Sequence, residues 1–510
     1  MSPQSIFPSF SDKELRIKKT QASASRLISA DTISAITNYN AQLPLGEKAK
    51  ANLKLLHKPF AAVVTGQQVG ILGGPIMTAL KALTACKVAA QLSKESGTTT
   101  IPFFWIQSED HDFDEISALV TLSGDNKLLS ENITQSSTSG TSLQFENLDA
   151  SVELMLGKLQ SEIGSGENAE ELISALQSAY TPGVSIADAF ARFYAWLFQD
   201  YGLLFVNPWQ AETEPLRKEV FSKSLENYQE IESLVGNSAD QTIFVRKDSP
   251  LFFYHPDGQN APRYRLEKTG ADFTLVGSTK TISPEKLAEE LETSPEKFSS
   301  SALIRPIVQD TLLPTVAYIG GAAELNYFKQ LSPLYKLFAL EKPFVLERLH
   351  AQLIPPKIAS LLEGLRLSSS EIHQSKEELL AHLAEKGLAG DAHIEEVRAN
   401  ILAQLETLKD PFAEIDKTLI GALENSTSKV LYQIDNLTSR YQKAQTLKSE
   451  TSLNRLAKVL STLRPDNKPQ ERVLSIAPFI AESGRSILTQ IYDTISPLKL
   501  KDGDFEDILL

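Results

Sequence analysis

The chain has 510 residues, of which 42% are hydrophobic, 22% charged and 8% aromatic, a globular composition that excludes wholesale disorder and fibrous repeats. Fifty basic and 64 acidic residues give a formal net charge of −14, which argues against nucleic acid and anionic membranes as partners. At roughly 150 residues per domain, we expect about three structural units.

Cysteine usage and hydropathy indicate the compartment. Cys86 is the single cysteine, so neither an intrachain disulfide nor a cysteine-based zinc cluster can form, which fits a reducing environment. The N-terminal segment lacks the apolar core of a signal peptide, and the longest apolar stretch, 69–92, is interrupted by Lys81, Lys87 and glycines. We therefore expect no membrane span and a cytoplasmic protein.

Residues 61–106 predict a strand–helix–strand unit. Residues 61–64 form a short apolar run typical of a buried strand. A glycine-rich turn follows, and a helical pattern starts at Pro75, because proline suits a first helical turn. A second apolar run covers 101–106, and such a unit adopts a right-handed parallel crossover by default.

Turn-rich stretches predict two insertions into this α/β core. Residues 119–147 indicate hairpins, and residues 242–305 mix short strands with a helix at 283–291. Further core strands are expected at 203–206, 315–321 and 343–347.

A helical arm is expected from about residue 352 to 460. Glycine is sparse there, and apolar residues recur at three- and four-residue steps, which is typical of a coiled coil. Asp410 and Pro411 predict a cap and a first-turn proline that separate or kink two helices, while Gly387 and Gly390 predict a break in an earlier helix. Such an arm favours dimerisation over ligand chemistry.

The turn after the first strand is the first candidate ligand site. Ligands of doubly wound folds bind at the carboxyl ends of strands, where glycine lets backbone amides approach and a helix N-terminus favours an anion. The spacing matches neither a dinucleotide fingerprint nor a P-loop. The geometric alternative is therefore a tight turn in which the glycines serve only the backbone conformation. The candidate residues are Thr65, Gly66, Gln67, Gln68, Gly73 and Gly74.

A second candidate follows the next strand, where six of the seven residues from Glu109 to Glu115 are acidic or histidine. Imidazole titrates near neutrality and carboxylates can orient it. We therefore predict His111 as a general base oriented by Asp110 or Asp112. The alternatives are a metal site, to which no residue is firmly assigned, and an acidic helix cap.

Other polar residues lie near predicted core strands or in a late turn. Arg305 could clamp a carboxylate or phosphate through two parallel hydrogen bonds, or it could form a structural pair with Asp310. The turn at 467–472 could close over an anion, or it could be a surface turn. The candidates here are Arg305, Gln309, Asp310, Glu324, Lys468 and Arg472.

Four segments between about residues 60 and 480 together resemble a known family: VVTGQQVGILGGPIMTALKALTACK, IPFFWIQSEDHDFDEI, RPIVQDTLLPTVAYIGGAAELNYF and RPDNKPQER. They are similar to the bacillithiol biosynthesis cysteine-adding enzymes, the cysteine ligases. The TGQQ-x-G-x-x-GGP and EDHDFDE segments are the most specific.

The resemblance implies an α/β fold with a Rossmann-like core, two inserted connecting-peptide segments and a coiled-coil arm that forms a homodimer. The HxGH and KMSKS signatures of synthetases are absent, so adenylate chemistry does not follow by analogy. The predicted divisions are a first core segment at 1–118, insertion one at 119–180, core at 181–241, insertion two at 242–302, core at 303–368, the arm at 369–462 and a segment returning to the core at 463–510.

The resemblance also implies a ligase that joins cysteine to the amine of glucosaminyl-malate and forms bacillithiol, a low-molecular-weight thiol. A free carboxylate needs activation, so ATP with Mg²⁺ is expected. His111 would deprotonate the amine with help from Asp110 or Asp112. The expected donors to malate or phosphate are Arg305, Gln67, Gln68, the backbone at Gly66, Gly73 and Gly74, and Lys468 and Arg472.

The residues leave two other functions open. A metal-assisted hydrolase would use residues 109–115 and would lose bound Zn²⁺ or Mn²⁺ when His111 is replaced. A non-enzymatic scaffold would recruit partners through the coiled coil, but it would not need polar residues concentrated at the ends of strands.

Overall fold

The computed structural model describes residues 7–236, 242–245, 248–500 and 505–510, without the side chains of 376–377, 380–392 and 442–449. The predicted end of a core segment at residue 241 lies outside the described residues. The other predicted divisions stay predictions. The elements up to the first insertion are α1 (Lys13–Ala24), α2 (Ala30–Asn40), α3 (Glu47–Leu55), β1 (Ala61–Gln67), α4 (Ile76–Ser96), β2 (Thr100–Ile106) and α5 (Phe113–Ile116).

The middle of the chain alternates between core and inserted elements. It begins with β3 (Ala118–Leu122), β4 (Leu128–Asn132), α6 (Ser151–Glu162), α7 (Glu167–Ala179), α8 (Ile186–Leu197), β5 (Leu204–Val206), α9 (Glu214–Glu226) and α10 (Tyr228–Val235). It continues with β6 (Phe252–Tyr254), β7 (Tyr264–Thr269), β8 (Asp272–Leu275), β9 (Thr281–Ile282), α11 (Pro284–Thr293) and β10 (Phe298–Ser300).

The chain then returns to the core and continues into the arm. The core elements are α12 (Arg305–Leu312), β11 (Thr315–Gly320), α13 (Ala322–Leu337), β12 (Phe344–Glu347), β13 (His350–Ile354) and α14 (Pro356–Leu365). The arm and the C-terminal elements are α15 (Lys376–Glu406), α16 (Lys409–Ile415), α17 (Thr418–Leu463), α18 (Gln470–Val473), α19 (Ala477–Ser483), α20 (Ile487–Thr494) and β14 (Phe505–Leu509).

A parallel sheet with the strand order β12-β11-β1-β2-β5 forms the core. The predicted strand–helix–strand unit is confirmed: β1 pairs with β2 from Ala61–Thr100 to Gln67–Ile106. Both strands are buried along nearly their whole length, as expected for apolar strands covered on both faces. The chain runs from β1 towards β5 on one side, whereas β11 and β12 lie on the other. This switch point places a ligand crevice at the carboxyl ends of β1 and β11.

The predicted insertions contain the expected strands. Strands β3 and β4 form an antiparallel hairpin, and a second sheet has the order β10-β6-β7-β8-β9, with α11 between β9 and β10 along the chain. The backbone N–H of Ser300 in β10 donates to Glu109 Oε1 at 2.7 Å. This contact joins the second sheet to the carboxyl end of the core sheet.

Helices α15 and α17 form the arm and run antiparallel. Arg464 donates to the Ile372 carbonyl at 3.3 Å near the base, and Arg398 Nε pairs with Asp435 Oδ1 at 3.2 Å farther out. The predicted break at Gly387 and Gly390 is wrong, since α15 continues through both positions. A glycine costs a helix only about 1 kcal/mol relative to alanine, and packing against α17 offsets that cost.

The proline signal in the arm is confirmed with one change in detail. Pro411 lies in the first turn of α16, which separates α15 from α17, but the N-cap residue is Leu408 rather than Asp410. The helix therefore begins two residues earlier than the cap pattern indicates. Proline tolerates this position because a first-turn N–H has no partner within the helix.

Helix α4 packs against the core sheet, and its middle is buried. Cys86 lies there with its thiol buried, and burial raises the pKa of that thiol. Cys86 is therefore a packing residue. Among the described residues, no helix combines the length and apolarity needed to cross a membrane.

Candidate active site

A cavity of about 510 Å³ lies at the carboxyl ends of β1, β2 and β11, which is within the usual size range of ligand sites. Residues of the second sheet, including Phe253 and Ser300, cover it. The predicted site residues that line it are Gln67, Glu109, Asp110, Arg305, Glu324 and Arg472. The predicted site residues outside its lining are Thr65, Gly66, Gln68, Gly73, Gly74, His111, Asp112, Gln309, Asp310 and Lys468.

Lys81 of α4 is buried, lines the cavity and holds the turn after β1. Its Nζ donates to the Gly66 carbonyl at 3.1 Å and to Gln67 Oε1 at 2.7 Å, and it pairs with Glu324. Burial lowers the pKa of Lys81, and although burial would raise that of Glu324, the charge of Lys81 holds it below its usual value. Lys81 therefore neutralises a buried carboxylate, and its donors are occupied.

Arg305 has a different environment. It is only 6% exposed, and its guanidinium donates to Gln309 Oε1 at 3.0 Å and to the hydroxyls of Tyr327 and Tyr318 at 2.8 and 3.3 Å. In the described part of the chain, no carboxylate forms a salt bridge with it. Burial would lower the pKa of Arg305, but the tyrosines and Glu324 hold it above its usual value. A buried cation that lines a cavity beside neutral partners suits an anionic ligand.

Asp110, His111 and Arg263 form a hydrogen-bonded cluster at the rim. Arg263 Nη2 lies 3.1 Å from Asp110 Oδ1 and 2.7 Å from His111 Nδ1. Burial alone would raise the pKa of Asp110, but the His111 side chain at 3.4 Å, the charge of Arg263 and hydrogen bonds from Gln68 and the His111 backbone hold it well below its usual range. Asp110 is therefore ionised.

The same contact fixes the tautomer of His111. A guanidinium can only donate, so the Nδ1 facing Arg263 at 2.7 Å presents its lone pair, and the ring proton is on Nε2. The predicted general base thus has its accepting nitrogen occupied. Asp112 lies farther from this cluster and caps α5, where its Oδ1 accepts from the Glu115 backbone at 3.3 Å, as in the helix-cap alternative.

The glycine-rich turn uses its polar groups internally. The Gly73 N–H donates to the Tyr180 hydroxyl at 2.9 Å, and the Gly74 N–H donates to the Ile71 carbonyl at 3.0 Å. Thr65 Oγ1 donates to a neighbouring strand at the Ile319 carbonyl. The expected backbone contacts of these residues with substrate are therefore replaced by contacts within the fold, as in the geometric alternative.

Gly73→Ala should lower the free energy of unfolding by about 2–4 kcal/mol, because φ is +91° there and a Cβ would lie 2.7 Å from the Phe193 ring. Urea unfolding measures this change. Gly157→Ala is the control: its Cβ would meet no atom within 4 Å in α6, so it should stabilise by about 0.5–1 kcal/mol. Weakened substrate binding by a fully stable Gly73→Ala protein would contradict the structural role.

Gln309 and Asp310 lie behind Arg305 rather than in the cavity. Asp310 Oδ2 accepts from the Tyr335 hydroxyl at 2.8 Å, and Oδ1 accepts from Gln309 Nε2 at 2.9 Å. Burial raises the pKa of Asp310. Arg305 contacts Gln309 instead of Asp310, so the expected structural Arg–Asp pair is not formed, and both residues support the arginine from behind.

The late polar turn carries a buried ion-pair network. Arg348 donates to both carboxylate oxygens of Glu471 at 2.6 and 2.7 Å, and His350 bridges Glu471 and Glu347 at 2.9 Å each. Burial would raise the pKa of Glu471, but His350 and Arg348 lower it to about 2. The turn therefore anchors the base of the arm to the core. Its Arg472 lines the cavity, whereas Lys468 is exposed outside the lining.

Comparison with known proteins gives the family. The family described as "Bacillithiol biosynthesis BshC, N-terminal Rossmann-like domain" matches residues 4–349, and its "C-terminal coiled-coil domain" matches residues 351–502. The chain belongs to the bacillithiol biosynthesis BshC family. The Rossmann-like fold with a coiled-coil arm is thereby confirmed.

Curated BshC relatives match along most of their length. "Putative cysteine ligase BshC" of Koribacter versatilis is 31% identical over 470 residues, covering 90% of this chain and 86% of the relative. The protein of the same name from Chlorobaculum tepidum is 30% identical over 492 residues, covering 90% and 85%. This BshC-family chain is accordingly a ligase.

In this BshC-family chain, sequence reasoning missed several site residues. Lys81 carried a signal, since it is one of two lysines in the otherwise apolar stretch 69–92. His350 is a further residue of the buried network, and it lies between two carboxylates. Arg348 carried the signal of a polar residue directly after the predicted strand at 343–347. Arg263 carried no local signal, because it lies far along the chain from Asp110 and His111, which it contacts.

Proposed function

We propose that this ligase forms the amide bond between the carboxyl group of cysteine and the amine of glucosaminyl-malate. Membership in the BshC family supports the reaction class, and the name of the relatives supports cysteine as a substrate. The observation that carries the proposal is Arg305, a buried guanidinium that lines the cavity and whose hydrogen-bond partners among the described residues are all neutral. Both organic substrates carry carboxylates, which such a group binds.

The amine is proposed to lie at the rim beside Asp110, where a carboxylate attracts an ammonium group. Proton transfer to His111 requires that the amine take the place of the Arg263 N–H at Nδ1. Arg263 is thus a positioning residue, which holds the imidazole in the accepting tautomer until the amine arrives. Glu109, fixed by the Ser300 N–H at 2.7 Å, adds negative charge to the same end of the cavity.

ATP is the proposed activating donor, and it would supply the leaving group that makes amide formation favourable. The cationic lining fits a polyanion, because Arg305 and Arg472 add positive charge without a described salt-bridge partner. The described residues contain no group of three or more His, Cys, Asp or Glu side chains arranged for a metal, and we assign no protein ligand to Mg²⁺, which would enter with the nucleotide phosphates. Asp110 and His111, on which a metal-assisted hydrolase would depend, are hydrogen-bonded to Arg263.

We also propose that two chains associate through the arm in the cytoplasm. Several large apolar side chains of α16 and α17 are exposed, including Ile415 at 80%, Leu437 at 69% and Tyr432 at 63%. An apolar stripe on a long helix is typical of a coiled-coil partner surface. The buried thiol of Cys86 is compatible with a reducing compartment.

His111→Asn should lower turnover by about 100-fold or more, since a general base contributes at least that much, while the unfolding transition stays unchanged. The asparagine oxygen can still accept from Arg263, so the rim keeps its hydrogen bonds. Steady-state amide formation measures the effect. His57→Asn is the matched control, because His57 is exposed and outside the cavity lining. Full turnover by His111→Asn would remove His111 from the mechanism.

A further inference from the structure

The N-terminus of α13 forms part of the cavity wall. Gly321 is its N-cap residue, and Gly321, Ala322 and Ala323 all line the cavity. The N–H groups of a first turn have no partner inside the helix, and the dipole of a 16-residue helix favours an anion at this end. Glu324 in the same turn accepts the Gly321 N–H at 3.0 Å and is paired with Lys81, so the first-turn N–H groups that are left for a ligand are those of Ala322 and Ala323.

Arg348 gives an independent indication of a ligand at the same place. Its side chain is 1% exposed and lines the cavity, yet its Nε, unlike its two terminal nitrogens, is a buried donor that finds no hydrogen-bond partner among the described residues. A Cβ built on Gly321 would lie 3.9 Å from this Nε. The unused Nε–H is therefore beside the N-terminus of α13, and buried donors are rarely left unpaired in native proteins.

Glu471 explains why Arg348 holds this orientation. Its carboxylate accepts from both terminal nitrogens of Arg348 at 2.6 and 2.7 Å, and it is fixed in turn by His350 at 2.9 Å. The fork of a guanidinium has a third donor direction at Nε. Because the pair with Glu471 occupies the other two directions, Nε remains for a ligand.

We propose that Arg348 Nε and the first backbone N–H groups of α13 form a subsite for an anionic oxygen, with Glu471 as the residue that positions Arg348. The subsite rests on the proposed function and adds a binding contact to it. It is separate from Arg305. The ligand is a carboxylate or a phosphate, groups that helix N-termini and guanidinium donors bind equally well. In the proposed reaction, the first would come from malate and the second from ATP.

Two variants remove the donors while keeping the surrounding structure. Arg348→Lys retains a cation for Glu471 but has no Nε–H towards the cavity. Ala322→Pro deletes the first N–H of α13 at a position where proline is favoured, and Gly321 before it already has the extended conformation that proline requires, with φ −94° and ψ 170°. Because the two changes act on different donors, a shared effect on binding cannot come from one local distortion.

Each variant has a matched control outside the cavity lining. Arg16→Lys alters another buried arginine that holds a glutamate through two bonds, Glu95 at 2.7 and 2.9 Å. Glu47→Pro places proline at the first position of α3, after Gly46 with φ −77° and ψ 171°. Thermal unfolding of all four variants shows that they are folded before binding is measured.

Isothermal titration calorimetry with L-malate and with ATP, each added alone to the full chain, tests the subsite. We expect both site variants to weaken binding of one probe at least tenfold, while both controls bind like the unaltered protein. An effect on L-malate identifies a carboxylate ligand, and an effect on ATP identifies a phosphate. Unaltered binding of both probes by folded site variants, or no binding of either probe by the unaltered protein, would overturn the proposal.

The binding test is separate from the proposed reaction. Amide formation by the same preparations reports whether the chain joins cysteine to glucosaminyl-malate, and calorimetry reports the subsite without turnover. Absence of amide with the expected loss of binding would reject the reaction and retain the subsite. Amide formation together with unaltered binding in both site variants would retain the reaction and reject the subsite.

Discussion

Arg305→Met is expected to lower kcat/KM about 100-fold or more while leaving the free energy of unfolding unchanged or higher. Losing one partner of a buried charge pair with the substrate costs about 2–5 kcal/mol of binding. In the free protein, however, the guanidinium donates only to neutral groups among its described partners, Gln309, Tyr318 and Tyr327. Methionine therefore leaves no described carboxylate without its ion-pair partner and removes the cost of burying a charge. Steady-state kinetics and urea unfolding of one preparation measure both effects.

Arg305→Lys separates charge from geometry in the same site. Lysine keeps a cation but lacks the planar fork that binds a carboxylate through two parallel bonds, so its kcat/KM should be intermediate. Unaltered kcat/KM in Arg305→Met would show that the arginine is not a substrate ligand. A large loss of stability in that variant would instead indicate that the cation is needed to hold the hydroxyls of Tyr318 and Tyr327.

Arg348→Met is expected to lower the free energy of unfolding by about 3–5 kcal/mol, because it leaves the buried carboxylate of Glu471 without the arginine that binds both of its oxygens. Arg305 and Arg348, which both line the cavity, should thus respond differently to the same substitution. Urea unfolding monitored by circular dichroism gives the comparison, and the slope of the transition checks that the folded state is equally compact.

The double variant Arg348→Met with Glu471→Met tests the physical reason for the loss of stability in Arg348→Met. If the loss comes from an unpaired buried charge, removing the carboxylate should recover a large part of it, since apolar replacements of a whole buried pair are often neutral. A single variant that unfolds like the unaltered protein would contradict the buried ion pair. Additive losses in the double variant would show that the two side chains act independently.

The sequence predicts the core well where local patterns and tertiary packing agree. Strands β1 and β2 are uninterrupted apolar runs between turn residues, and Pro75 precedes α4 directly. The arm shows the opposite case at Gly387 and Gly390, where the local propensity for a break is small compared with the packing of a long helix. Propensity alone cannot weigh that contact.

The residues of the candidate site show the same difference between local sequence patterns and tertiary packing. Gln67, Asp110 and Glu324 could be placed together from sequence because each follows a core strand, and the carboxyl ends of parallel strands meet at one edge. Arg348 could have been placed there by the same rule, because it directly follows the strand predicted at 343–347, whereas Arg263 could not, because it comes from the second insertion, which only the tertiary fold brings to that edge. The amides of Gly73 and Gly74 looked available for the same reason: their acceptors, such as the Tyr180 hydroxyl, are invisible in the local pattern.

Mass spectrometry of a single reaction tests the central claim most directly. The purified protein is incubated with cysteine, glucosaminyl-malate and Mg²⁺, with and without ATP, beside Arg305→Met under the same conditions. The proposed function predicts a product with the mass of the two substrates less one water, formed only with ATP and strongly reduced in the variant. A folded protein that forms no such product with ATP present, or equal product from Arg305→Met, would contradict the account.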